Sequence, residues 1–122
     1  MSVSENQNWK DNLFFEIRPE YTSVPVEFKV VCTLQQPKER IKKAAIFIFS
    51  QYKGGNEKFS KKYLESKSSF EKKELLVFDF KFKASHTPYL IMAATEKKGK
   101  VNNYILSIQS VEKLVLKQVH IN

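Results

Sequence analysis

The chain has 122 residues, of which 42% are hydrophobic, and its net charge at pH 7 is +8. A chain of this length buries about two-thirds of its unfolded surface on folding, so it needs neither a disulfide nor a metal ion for stability. With only three glycines, the sequence is neither collagen-like nor a flexible low-complexity segment, and the alternation of its apolar residues disfavours a helical bundle.

The first predicted element is a strand over 13–18, in which Leu13, Phe15 and Ile17 share one face. It follows a polar segment, 1–11, that we expect to be flexible. We expect residues 12–122 to form a single domain, because a chain of this size is typical of one.

The clearest alternation covers 24–34 and predicts a half-buried strand. The side chains on its apolar face are Val24, Val26, Phe28, Val30, Cys32 and Leu34. The single cysteine, Cys32, therefore lies on a face that points to the core. We expect an inert, buried thiol, which agrees with a reducing compartment.

Segments 44–49 and 89–95 are apolar at nearly every position, which indicates strands in the middle of a sheet. Between them, 57–67 is rich in lysine and aromatic residues, and we expect one short helix or an irregular crossover there. This stretch and the residues after it provide the best candidate for an anion-binding surface, formed by Lys58, Lys61, Lys62, Lys67, Lys72 and Lys73. The alternative is a solvated connector held to the core by Phe59, Tyr63 and Phe70.

Three further strands are predicted over 74–84, 103–109 and 114–121, the last at an edge or with a bulge, with a terminal helix as its alternative. About seven strands with regular turns predict an all-β, antiparallel β-sandwich. Immunoglobulin-like topology is the commonest arrangement of that kind, and a small open barrel with a crossover helix is the second choice. The predicted core includes Phe28, Ile46, Ile48, Phe78, Phe80, Ile91 and Leu106.

Residues that carry chemistry are few and scattered. His86 and His120 have no second ligand at metal-binding spacing, so we expect no metal site and no cofactor. Asp79 lies in a strand near Lys81, and we expect it to face solvent. No phosphate-binding loop, nucleophile elbow or zinc-binding helix motif is present, so we expect that the protein is not an enzyme.

These features favour a non-catalytic protein–protein interaction module, such as a small subunit or adaptor of a larger assembly, with a protein partner or self-association as its mode of action. The alternative is binding of an anionic polymer, such as nucleic acid, or of a membrane surface through lysine-rich loops. Only two of the 21 basic residues are arginines, which ranks this alternative second. The chain has no signal-peptide pattern and no transmembrane segment, so we expect it in the cytoplasm.

Overall fold

The computed structural model describes residues 13–20, 25–51, 60–96 and 103–119. These residues form β-strands joined by loops and by short 3-10 turns, without an α-helix. In chain order the described strands are β1 (Phe14–Pro19), β2 (Glu27–Gln35), β3 (Lys43–Ser50), β4 (Leu64–Lys67), β5 (Glu71–Lys72), β6 (Leu75–Lys83), β7 (Tyr89–Thr95), β8 (Ile105–Gln109) and β9 (Leu114–Val119).

The strands form two antiparallel sheets that pack against each other, which confirms the predicted all-β sandwich. The large sheet has the order β4-β3-β7-β1-β9, and the short strand β5 also pairs with β3. The small sheet has the order β6-β2-β8. An immunoglobulin-like arrangement is not confirmed, because that fold places its first strand beside its second, whereas β1 lies between β7 and β9.

The small sheet is built on the long pairing of β2 with β6, which extends from Glu27 opposite Lys83 to Gln35 opposite Leu75. Every second side chain points to the core, as the alternation predicts. Phe28 and Phe82 are opposite one another, and their rings stack with centroids 4.9 Å apart. Cys32 is fully buried in the same row, as expected.

The centre of the large sheet is buried on both faces, and this explains why β3 and β7 are apolar at nearly every position. One face packs on the small sheet through side chains such as Ile46 and Ile91. The opposite face carries a second apolar cluster that includes Phe47 and Met92 and is packed against Phe70. The central placement predicted for these two strands is therefore confirmed.

Most of the predicted core is found. Five of its members are buried, and Phe78 and Leu106 are half-buried and pack against the others. Two inward assignments are wrong, because Leu13 is 46% exposed and Val26 is 81% exposed. Both residues lie just before the first residue of a strand, at a strand end rather than within the paired rows that line the core. Ile17 is buried as expected, but Phe14 is buried on the opposite face of β1.

The short helix expected within 57–67 is not found in its described part. Lys61–Tyr63 forms one 3-10 turn, and Leu64–Lys67 is strand β4, while 57–59 lies outside the described residues. The reason is tertiary: Leu64, Ser66 and Lys67 pair with the edge of β3 through a register shift. The helix alternative for the last element is also wrong, because β9 is an edge strand paired with β1. The expected flexible segment 1–11 and His120 lie outside the described residues.

Candidate functional site

An aliphatic patch, formed by Leu75, Val77 and Ile105, lies on the outer face of the small sheet. Alternation along β6 and β8 turns these side chains away from the core, and they are 51%, 57% and 61% exposed. Gln35 of the central strand β2 is the register partner of both Leu75 and Ile105. With a strand spacing of about 4.8 Å, Leu75 and Ile105 are roughly 10 Å apart, so one partner surface can cover the whole patch.

The central strand beside the aliphatic patch carries uncharged residues, whereas Asp79 follows Val77 on the same face of β6. Thr33 is the register partner of both Val77 and Ser107, and Val31 follows on the same face. Thr33 and Val31 are half-buried between the two outer strands. The patch therefore continues along β2 as a flat surface of small and β-branched side chains.

The opposite end of the same face is charged. Lys29 and Lys81 are register partners, and Lys81 Nζ lies 3.4 Å from Glu27 Oε1. Asp79 is exposed on this face, as predicted. An open groove of about 330 Å³ lies at this end. It is lined by Glu27, Phe28, Lys29, Asp79, Phe80 and Lys81.

The lysines predicted to form an anion-binding surface are placed along one edge of the large sheet, as far as they are described. Lys67 pairs with Phe47 and Lys72 pairs with Lys43, four positions away along β3. At about 3.4 Å per residue, the two sites are roughly 13 Å apart. Lys58 and the side chain of Lys61 lie outside the described residues.

Several of these lysines already have neighbours of complementary character. Lys67 Nζ lies 5.8 Å from the centroid of Phe47 and 5.0 Å from that of Phe70, in a double cation–π contact. Lys73 Nζ lies 3.2 Å from Glu71 Oε1. Lys62 Nζ lies 5.1 Å from the ring centroid of Tyr63. Part of the positive charge of these lysines is therefore already engaged by aromatic rings and by Glu71 within the fold.

A polar network at one end of the sandwich was missed in the sequence. His86 Nδ1 lies 2.6 Å from Glu65 Oε1, and Ser50 Oγ donates a hydrogen bond of 3.1 Å to the same oxygen. Since a carboxylate accepts hydrogen bonds, the Nδ1 atom carries the proton in this pair. Glu65 and His86 are 21 residues apart. Glu65 is positioned by the pairing of β4 with β3, and His86 is positioned next to the end of β3 because its backbone C=O accepts a hydrogen bond from Gln51 N–H. No local motif could therefore have identified the pair.

Tyr89 extends this network into the core. Its hydroxyl accepts a hydrogen bond of 2.9 Å from the backbone N–H of Lys83 and also contacts Glu65. Burial is the main cause of the raised pKa of Tyr89. The hydrogen bond from the N–H of Lys83 lowers this pKa, and the negative charge of Glu65 raises it further. The phenol is therefore neutral and structural across the physiological pH range.

The order of groups in this network differs from that of a catalytic triad. A triad places histidine between the nucleophile and the acid, whereas here Glu65 lies between Ser50 and His86. Burial raises the pKa of the Cys32 thiol to about 12, which suppresses the nucleophilic thiolate. Among the residues that the structure describes, no group of three acidic, histidine or cysteine side chains could hold a metal ion.

No protein-family model matches the chain, and comparisons with curated proteins and with solved structures give no match either. Within the described ranges, no helix is long and apolar enough to cross a membrane. Function is therefore inferred from the chain's own surface.

Proposed function

We propose that this chain is a non-catalytic protein–protein interaction module that binds its partner through the aliphatic patch. The observation that carries the proposal is the exposure of Leu75 and Val77 on β6 and of Ile105 on β8, the two strands that flank β2 in the small sheet. Fully burying each such side chain is worth about 1.5–3 kcal/mol, so a partner that covers the patch gains substantial free energy. Large apolar side chains grouped in the open on one face of a sheet, with polar residues such as Gln35 between and around them, are typical of interaction sites.

The partner is a protein with a flat, aliphatic centre and an acidic group at one side. The acidic group would face Lys29, which is exposed at the charged end of the same sheet face and has a second lysine, Lys81, as its register partner. This arrangement has an apolar centre and charges at the rim, which is the usual anatomy of a protein interface. The charges then set orientation and association rate more than affinity.

The proposal that the module is non-catalytic is supported by the polar groups of the Glu65 network, which satisfy one another. We also propose a cytoplasmic location for the protein, which is supported by the free, buried thiol of Cys32.

Binding of an anionic polymer or membrane surface through the lysines remains the alternative. The observation that favours it is the cross-strand pairing of Lys72 with Lys43, which places two exposed lysines at directly opposed positions. Lys43 Nζ lies 2.8 Å from Glu96 Oε2, so part of that charge is compensated. This compensation ranks the anionic ligand second.

The test is capture of partners from an extract of the native host with the full chain as bait, at low and at physiological salt. The double variant Leu75→Ser/Ile105→Ser removes two of the three patch side chains. Its matched control is Val111→Ser, because Val111 is 93% exposed in the turn between β8 and β9, away from the patch. We expect a protein that is retained at physiological salt by the chain and by the control, and lost by the double variant.

Equal capture by the double variant and the control would contradict the proposal. Recovery of nucleic acid or anionic lipid alone, lost at physiological salt, would support the alternative, because phosphate contacts weaken steeply with salt.

A further inference from the structure

Strand β6 presents a long free edge. It has nine residues, and among the described strands it pairs only with β2. No described strand pairs with its other side, so the backbone groups there, apart from the Lys83 N–H that donates to the Tyr89 hydroxyl, can template a further strand. The edge lies at the border of the small sheet, whereas the aliphatic patch lies on the outer face, so the two features make separate surfaces.

Two hydrogen bonds define which backbone groups point to this edge. Ala84 N–H donates to Val26 O on the β2 side, whereas Lys83 N–H turns the other way and donates to the Tyr89 hydroxyl. Backbone groups of successive residues alternate between the two sides of a strand. The N–H and C=O groups of Val77, Asp79 and Lys81 therefore point to the free edge.

We propose that a second copy of this chain pairs with β6 along this edge, in antiparallel orientation, across a twofold axis at Phe80. In this register Asp79 lies opposite Lys81 of the second copy, and the twofold axis creates the same pair again. Each pair joins a carboxylate to an ammonium on the exposed face, and opposite charges stabilise directly opposed positions in a sheet.

The charges along β6 distinguish this register from its neighbours. A shift of the twofold axis by one residue towards the N-terminus places Asp79 opposite its own copy. A shift by one residue in the other direction places Lys81 opposite its own copy and Asp79 opposite Lys83. Like charges directly opposite each other are destabilising, and only the register with the axis at Phe80 gives both Asp79 and Lys81 an oppositely charged partner and places neither opposite its own copy.

The pairing also buries more of the aromatic side chains on the core-facing side of β6. Phe80 lies opposite Phe80 of the second copy, and Phe78 lies opposite Phe82. Phe78 is only half-buried and packs at the margin of the core. The added strand therefore covers an aromatic side chain that the single chain leaves partly exposed, which adds hydrophobic free energy to the backbone hydrogen bonds.

The twofold arrangement is closed, because each copy uses its β6 edge once. It joins the two small sheets into one continuous sheet of six strands, with an aliphatic patch from each copy on the same face. A single pair of edge strands buries less than the roughly 1,600 Å² of a standard interface, so we expect a dimer that dissociates on dilution. This dimer goes beyond the proposed function and does not require the protein partner.

Sedimentation velocity of the full chain over a range of concentrations tests the pairing. Asp79→Lys and Lys81→Asp each convert both attractive pairs into repulsive ones, and each is expected to weaken the dimer at least tenfold. An equimolar mixture of the two variants restores opposite charges at every pair and is expected to recover a mixed dimer. Lys113→Asp is the control, because Lys113 is exposed in the turn between β8 and β9, on neither β6 nor its neighbour β2.

A chain that stays monomeric at every concentration would overturn the proposal, as would a dimer that both charge variants leave unchanged. A mixture of the two variants that fails to associate would also overturn it. Melting curves of the variants check that each one is folded. A monomeric chain that still captures its partner through the aliphatic patch would refute the dimer and leave the proposed function intact. Dimerisation without capture would refute the proposed function alone.

Discussion

The hydroxyl of Tyr89, on the inner face of the large sheet, accepts a hydrogen bond from the backbone N–H of Lys83 in the small sheet. The two sheets are thus joined by a polar contact where β6 ends. The same hydroxyl contacts Glu65, so one buried group serves the edge of the small sheet and the polar network together. Removal of the Tyr89 hydroxyl leaves the backbone N–H of Lys83 and the carboxylate of Glu65 without this partner.

We therefore expect Tyr89→Phe to lower the free energy of unfolding by about 1–3 kcal/mol, which is the usual cost of an unsatisfied buried hydrogen-bonding group. Urea unfolding followed by circular dichroism measures this change. Tyr104→Phe is the matched control, because it removes the same hydroxyl from a half-buried position, and its effect should be smaller. Equal losses in the two variants would contradict the role assigned to the Lys83 contact.

The stability of the fold should decline at alkaline pH. Burial raises the pKa of the Cys32 thiol from its ordinary value of 9.0 to about 12, and burial also raises the pKa of Tyr89 and Tyr104. In the unfolded chain these groups lose their protons at lower pH, so above about pH 9 the folded state holds more protons than the unfolded state. The free energy of unfolding therefore falls as the pH rises.

Each such group contributes up to about 1.4 kcal/mol per pH unit between its unfolded and folded pKa values. Cys32→Ala removes the thiol contribution, so its unfolding free energy should fall less steeply than that of the wild type between about pH 9 and pH 11. Unfolding curves at several pH values provide the slopes. Identical slopes for the variant and the wild type would show that the thiol is not shielded in the folded state.

Truncation of the aromatic side chain of Phe80, on the core-facing side of β6, should lower the stability of the fold. Phe80 is 7% exposed, and its ring lies 5.3 Å from that of Tyr89 across the two sheets. Phe80→Ala should lower the free energy of unfolding by about 3–5 kcal/mol, through lost burial and the cavity that remains. Val111→Ala, at an exposed turn, should change it by less than about 0.5 kcal/mol. A near-neutral melting shift for Phe80→Ala would mean that the faces of β6 are assigned incorrectly.

The pair formed by Glu65 and His86 should be energetically coupled. A double-mutant cycle with Glu65→Ala and His86→Ala is expected to give a coupling energy of about 1 kcal/mol, because the hydrogen bond is short and involves a carboxylate. The same cycle between Glu65 on β4 and Lys117 on β9, which lie on the two opposite edge strands of the large sheet, should give a value near zero. Additive losses for Glu65 and His86 would show that the contact does not stabilise the fold in solution.

Alternating and continuous apolar runs in the sequence were sufficient to predict seven of the nine described strands and most of the core, because the pattern of apolar residues reports which faces are buried. They did not predict the pairing of β1, whose buried residues Phe14 and Ile17 face opposite sides of the large sheet. When side chains on both faces of a strand are buried, the two-residue alternation of apolar and polar residues is lost. The edge strand β4 was missed because its pairing with β3 is a tertiary contact that local propensity does not encode.

The aliphatic patch was only partly accessible from the sequence. The outward positions of Leu75 and Val77 follow from the alternation of β6, but the proximity of Ile105 depends on the pairing of both β6 and β8 with β2. The lysine clusters were visible as composition, but their spacing along β3 and the contact of Lys67 with two aromatic rings required the fold. Position within a sheet, rather than residue type, distinguishes the two candidate surfaces.

The most direct test of the central claim is the affinity of the purified chain for its captured protein partner, measured by titration calorimetry at physiological salt. Leu75→Ser/Ile105→Ser should weaken binding by at least about tenfold, because the apolar centre carries most of the interface free energy. Lys67→Ala/Lys72→Ala/Lys73→Ala should leave the dissociation constant within about threefold of wild type. Loss of binding in the lysine variant, with full affinity in the patch variant, would contradict the claim that the aliphatic patch is the binding surface.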